Sequence, residues 1–128
     1  AVSAEALGRE QEIPRGFLQG ILADLRRADL VVSQRGKSGG WRLNRDASQI
    51  SVADVIRAVD GPLVSVYGIR PESVAYSGSA ESLQLVWIAA RSSLREVFET
   101  VTIAALASKE LPESVTSRLD DDEAWLPH

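Results

Sequence analysis

The sequence predicts a mainly α chain with one small β-hairpin, and three observations predict it. Two helix-forming stretches lie a few residues apart near the start, between residues 4 and 27. They run directly into a basic, glycine-rich pair of short strands, residues 30 to 44. Further on, apolar residues alternate spacings of four and three across residues 83 to 104, the mark of a long amphipathic helix.

The elements follow in order. Ser3 is a good N-cap for a short helix from about Ala4 to Glu10, with Glu5 in its first turn. Gln11 and Glu12 make a turn, and Pro14 fits the first position of a second helix, where its missing N–H is not needed. Phe17, Leu18, Ile21, Leu22 and Leu25 form the buried face of that helix. Arg15, Gly16, Gln19 and Gly20 form its leading face, small or polar and able to lie close to another molecule. The runs Leu30 to Ser33 and Trp41 to Leu43 suit two strands, joined by a tip that carries Arg35 and Lys37 among Gly36, Ser38, Gly39 and Gly40. Ser51 and Asp54 make a capping pattern for a third helix, lined by Val52, Val55, Ile56 and Val59 and stopped by Gly61 and Pro62. Helix, turn, helix and hairpin in this order form a winged helix-turn-helix, in which the second helix enters the major groove and the hairpin tip reaches backbone or minor groove.

Residues 62–79 read as a connecting loop, with Pro62, Gly68, Pro71 and Gly78 and two tyrosines, Tyr67 and Tyr76. Residues 80–108 read as a dimerisation helix region whose seam is Leu83, Trp87, Ala90, Leu94, Val97 and Val101, with Phe98 beside it. Such a helix has more apolar surface than a small winged-helix core covers, so its simplest partner is a second copy of the chain. The alternative is a long helix packed within one chain. The run Val101, Thr102, Ile103 weakens a continuous helix, and Thr102 is placed to cap a separate short one through Ala107. Residues 109–128, with Asp120, Asp121, Asp122 and Glu123, are expected to be a loosely ordered acidic tail.

Composition limits the function. With no cysteine, disulfides, thiolate metal sites and cysteine-ligated iron–sulfur clusters are excluded for this chain. No apolar run approaches a membrane span, no signal peptide is visible, and a cytoplasmic protein is expected. The first residue, Ala1, falls at the start of a helix, which suggests that an upstream segment is missing. Ser38, Ser65 and Ser77 have no histidine partner, because His128 is the only histidine, and no paired carboxylates suggest acid–base chemistry; no catalytic residue is assigned. The net charge of −4 is unevenly spread. Residues 26 to 45 hold Arg26, Arg27, Arg35, Lys37, Arg42 and Arg45 against Asp29 alone, a local positive patch suited to phosphate.

The expected partner is therefore double-stranded DNA. The residues assigned to it are Arg15, Gly16, Gln19 and Gly20 on the second helix, Arg26, Arg27 and Arg42 as phosphate contacts, and Arg35, Gly36, Lys37 and Ser38 on the hairpin. A small-molecule effector would fit where Tyr67, Arg70, Tyr76 and Trp87 converge, with aromatic walls and one cation. A second class is a protein-interaction or small-molecule-sensing module with weak DNA binding, favoured by the negative total charge and the two glycines on the leading face.

The motifs IPxxFL, LxxADLVxSxRGxxGGW and ISxADVIRAVxG, between Val2 and Gly61, resemble the bacterial winged-helix regulators that include IscR, NsrR and CymR. The resemblance continues more loosely along the long helix. It implies a homodimeric transcription factor, usually a repressor, whose copies meet through that helix and whose ligand or cluster site lies near it and the preceding loop. By position, Arg15, Gly16, Gln19 and Gly20 fall on the recognition helix and Arg35 on the wing. This chain departs from the pattern in three places. Gly16 and Gly20 stand where polar side chains are frequent, Asp29 stands where glycine is usual, and the cysteine trio between Gly61 and Leu83 is absent. No metal or other cofactor is expected, and the signal is expected to be something other than an iron–sulfur cluster.

Overall fold

The computed structural model describes all 128 residues. Helix α1 (Ala4–Glu10) starts where Ser3 accepts a hydrogen bond from the Ala6 amide, as the N-cap pattern requires. Helix α2 (Arg15–Arg27) begins one residue later than the sequence suggests, with Pro14 as its cap. Leu18 and Leu22 are its buried residues, while Ile21 and Leu25 are half-buried. Phe17, expected on the same face, is 68% exposed. Periodicity gives the direction of a side chain but not how far along the helix its covering partners extend. α2 ends in a Schellman arrangement, with the Leu30 amide bonded to the Leu25 carbonyl and the Asp29 amide to that of Arg26. Asp29 therefore sits at φ 59°, the left-handed conformation, which explains why glycine suits this position.

Strands β1 (Val31–Gln34) and β2 (Gly40–Leu43) pair antiparallel, Val31 opposite Leu43 and Gln34 opposite Gly40. A third segment joins them, because Val2 exchanges two backbone hydrogen bonds with Trp41 at 2.9 and 2.7 Å. Gly40, at φ 131°, makes this possible, since a Cβ there would lie 2.5 Å from the Val2 carbonyl oxygen. Helix α3 (Val52–Asp60) carries the complete capping box: Ser51 accepts from the Asp54 amide and Asp54 from the Ser51 amide, both at 3.0 Å. Leu18, Leu22, Leu30, Val31, Ile50 and Ala53 form the core between these elements.

The expected long helix is divided. α4 (Leu83–Phe98) ends where Thr100 turns its hydroxyl back onto the carbonyls of Glu96 and Val97, and α5 (Ile103–Ser108) starts anew on Thr102, whose hydroxyl accepts from the Ala105 amide. Between them residues 101–103 pair with residues 50–52. The Val52 amide donates to the Val101 carbonyl and the Ile103 amide to that of Ile50, each at 2.9 Å. Val101 is 5% exposed and so is not open to a second copy, contrary to its place in the proposed seam. Of the rest of that seam, Trp87, Ala90, Leu94, Val97 and Phe98 are half-buried within the chain and Leu83 is exposed. Leu85 and Val86 are the large apolar residues that α4 leaves most exposed, at 64% and 55%.

Residues 62–79 are held against α4. Gln84 donates to the carbonyls of Pro71 and Glu72, Arg91 pairs with Glu72, and Pro71 and Val74 are buried. The C-terminal stretch is more ordered than its acidity suggests. It forms α6 (Glu113–Leu119), joined to the end of α4 by the Thr100 and Ser114 hydroxyls at 2.8 Å and by Arg118 and Glu96 at 3.4 Å. The acidic run at 120–123 is exposed, as expected.

Two predictions follow from this packing. Val101→Ala should cost roughly 2 kcal/mol of folding stability and Thr102→Ala about 1 kcal/mol, by loss of buried volume and of a cap. In urea denaturation both losses should be the same at every protein concentration, whereas a residue at an interface between copies would show a loss that depends on it. Asp29→Gly relieves the left-handed strain and should raise stability by about 0.5 kcal/mol, seen as a higher urea midpoint with an unchanged slope.

Candidate nucleic-acid interface

The leading face of α2 and the hairpin tip meet. Arg15 and Gln19 of α2, Gly36, Lys37, Gly39 and Gly40 of the hairpin, and Ser3 to Glu5 of α1 line one groove of about 390 Å³. Residues that lie far apart in the chain thus share one surface, with two cations and the single carboxylate of Glu5. Gly16 and Gly20 are exposed, and a Cβ at either would touch nothing within 4 Å. The α2 backbone can therefore be approached closely from outside, at the cost of two helix-weakening residues worth up to about 1 kcal/mol each. Arg35, Lys37 and Ser38 are exposed at the tip, and neither cation has a carboxylate partner. Such cations are available to phosphate at little desolvation cost.

The tip owes its shape to local sterics. The Gly39 amide closes a turn onto the Gly36 carbonyl at 2.9 Å, and a Cβ on Gly39 would lie 2.3 Å from the Gln34 oxygen.

The other assigned cations do not line this groove. Arg26 stacks on Trp41, 5.8 Å from the ring centroid, and Arg27 is paired with Asp24. Arg42 borders an apolar groove made with Val2, Leu7, Leu22 and Leu43.

The expected effector site does not assemble. Tyr67 is fully exposed, with φ 51°, while Tyr76 and Trp87 bond to each other, the indole N–H donating to the phenol oxygen at 3.0 Å. Arg70 goes elsewhere. With Arg57, Arg91 and Arg95 it surrounds a cavity between α3, the loop and α4, which sequence reading missed because its four arginines are spread over 39 positions from 57 to 95. Glu99 sits beside this cavity, bonded to Arg95 at 2.9 Å and Arg57 at 2.6 Å, and these two guanidiniums hold its carboxyl below the usual range, Arg95 first. Glu72 is lowered too, by its own backbone amide and then by Arg91.

With the groove and wing in place, relatives become informative. Residues 1–109 match the family described as Rrf2, iron-dependent transcriptional regulator. The chain belongs to the Rrf2 family. Among its Rrf2 relatives, Rv1287 of Mycobacterium tuberculosis, designated an HTH-type transcriptional regulator, is 45% identical over 123 residues, 96% of this chain and 76% of that protein. The structure of CymR, the global cysteine regulator of B. subtilis, superposes with a TM-score of 0.68 at 28% identity, covering 84% of this chain and 78% of that one. IscR of T. potens gives 0.65 at 28% identity, covering 99% and 75%. The fold is thus that of the winged-helix Rrf2 regulators, and the family's role is DNA-binding transcription regulation rather than catalysis. No helix is long and apolar enough to cross a membrane. The family's description includes iron, yet this chain has no cysteine and no group of three or more His, Cys, Asp or Glu placed to hold a metal ion. Around residues 57–95 it presents arginine instead. The residues present do not fit an iron–sulfur cluster.

Gly39→Ala should unfold the tip locally and cost on the order of 1 to 3 kcal/mol, because the clash is with backbone. Gly20→Ala should stabilise α2 by up to about 1 kcal/mol. Thermal denaturation of the two variants side by side checks both signs.

Proposed function

We propose that this regulator is a homodimeric repressor that binds a palindromic operator in the cytoplasm and is released by a signal other than an iron–sulfur cluster. The observation that carries the DNA-contact part is the shared groove, in which Arg15 and Gln19 of α2 face the same space as Gly36 and Lys37 of the wing. A helix inserted in the major groove would bring Gln19 to base edges, where an amide reads adenine, while Arg35 and Lys37 reach the backbone or the adjacent minor groove. Arg26, Arg27 and Arg42 lie outside the groove and act on phosphate at its borders. With Gly16 and Gly20 offering no side-chain contact, the wing carries a larger share of the affinity than it would beside a recognition helix with polar side chains at those positions.

Dimerisation is supported by the apolar surface that α4 leaves uncovered. Leu85 and Val86 join Leu83 of the seam as the large apolar residues of α4 most open to a second copy. Two copies would then present their recognition helices to half-sites about 34 Å apart, one turn of B-DNA.

The test is a binding titration on the intergenic DNA next to the chain's own gene, at several salt concentrations. Lys37→Ala should weaken binding to all sequences alike and lower the salt slope by about 1. Arg35→Ala should cost about 1 to 3 kcal/mol and relax sequence preference if the side chain reaches bases. Unchanged affinity for both variants at every salt concentration would falsify the wing assignment.

A further inference from the structure

We propose that the cavity framed by Arg57, Arg70, Arg91 and Arg95 is a binding site for a small polyanion, a molecule carrying two or more phosphate or carboxylate groups. The cavity holds about 380 Å³, within the range of small-molecule sites, and lies where α3, the loop and α4 come together. Its lining is polar: besides the four guanidiniums there are Gly61, Pro62 and Leu63. Leu63 is the one hydrophobic residue of that lining.

The charge balance gives the sign of the ligand. Against four guanidiniums stand two carboxylates, Glu72 on Arg91 and Glu99 shared between Arg57 and Arg95. The Arg70 side chain makes no hydrogen bond and no ion pair at contact distance; its charge is felt only at longer range by Glu72, which is already bonded to Arg91, so its N–H donors are free to face the cavity. Each guanidinium offers five N–H donors in a planar fork, more than the two glutamates can accept, and the fork matches phosphate or carboxylate oxygens two at a time. The Arg91 side chain is 27% exposed, so an anion reaching it would be partly shielded from water and bound more firmly than at an open surface.

The position gives the site a consequence. Arg57 belongs to the last turn of α3, in the DNA-binding unit, while Arg91 and Arg95 belong to α4 and Arg70 to the loop. A polyanion bridging these cations would compete with Glu99 for Arg57 and Arg95, and so change the contact that joins the DNA-binding unit to α4. Its role as a signal rests on the repressor reading; its binding does not.

The experiment titrates the full chain with pyrophosphate and, separately, with citrate, at ionic strength held constant with sodium chloride, by calorimetry. Three proteins are compared: the unmodified chain, Arg70→Gln, and the wing double variant Arg35→Gln with Lys37→Gln. Arg70→Gln breaks no ion pair, so its folding is not at risk. Saturable binding of at least one of the two anions is expected, weakened about tenfold or more by Arg70→Gln and unchanged in the wing variant. Binding of pyrophosphate alone assigns a phosphorylated ligand, and of citrate alone a carboxylate ligand. The proposal is overturned if neither anion binds saturably, if Arg70→Gln binds as the unmodified chain does, or if the wing variant abolishes binding. Operator binding is measured on the unmodified chain from the same preparation. Its absence alongside intact anion binding would remove the repressor reading and leave the site standing.

Discussion

The pairing of residues 50–52 with residues 101–103 is the constraint on which the two halves of the molecule depend. Two backbone hydrogen bonds of 2.9 Å join the segments, and the residue at the centre of each is a helix cap: Ser51 opens α3 and Thr102 opens α5. Ile50 and Val101, 1% and 5% exposed, are buried at the same junction. Two caps worth about 1 kcal/mol each, two net hydrogen bonds of about 1 kcal/mol and two buried aliphatic side chains worth about 2 kcal/mol each act at one point. That concentration explains why α4 stops at Phe98. Continuing the helix through residue 101 would give up the pairing, both burials and the Thr102 cap in exchange for a few residues of weak helix former.

The same junction positions the DNA-binding face indirectly. α3 is fixed at its start by Ser51 and packs on α2, whose Leu18 and Leu22 are buried against the core. With one face of α2 held, Arg15, Gly16, Gln19 and Gly20 are left outward. On the other side, the Schellman end of α2 sets the chain into β1 through Asp29, and Val2 closes the hairpin from its free side. The groove between helix and wing is therefore bounded by elements that are each fixed independently. The mobile-looking feature, a glycine-rich tip, is a closed turn on a paired ladder.

Much of this was legible in the chain. Local signals act within a few residues, and they placed α1, the Ser51 capping box, the hairpin and the cationic tip to within a residue or so. The Arg15 and Gln19 face followed from helical period alone, and its pairing with the wing followed from element order. Other readings failed for a common reason. The seam from Leu83 to Val101 has the right spacing, but spacing does not say which of its residues the chain itself covers, and Val101 is one that it covers. Phe17 and Tyr67 are exposed for the same reason, while Tyr76 and Trp87 meet as expected but without Tyr67 or Arg70. The acidic 109–128 stretch is expected to be loose because of its charge, yet Ser114 finds Thr100, just past α4, and Arg118 finds Glu96 on it.

The sequence by itself determined the helix starts, the hairpin, the local excess of positive charge and the absence of thiolate ligands, because each depends on residue type and near-neighbour geometry. The tertiary structure decided where α4 ends, which of its faces is free, how Val2 completes the wing, and that Arg57, Arg70, Arg91 and Arg95 surround one cavity. Those outcomes depend on contacts between residues 11 or more positions apart, whose formation balances chain entropy against burial and hydrogen bonding over the whole domain. No window of sequence contains that balance.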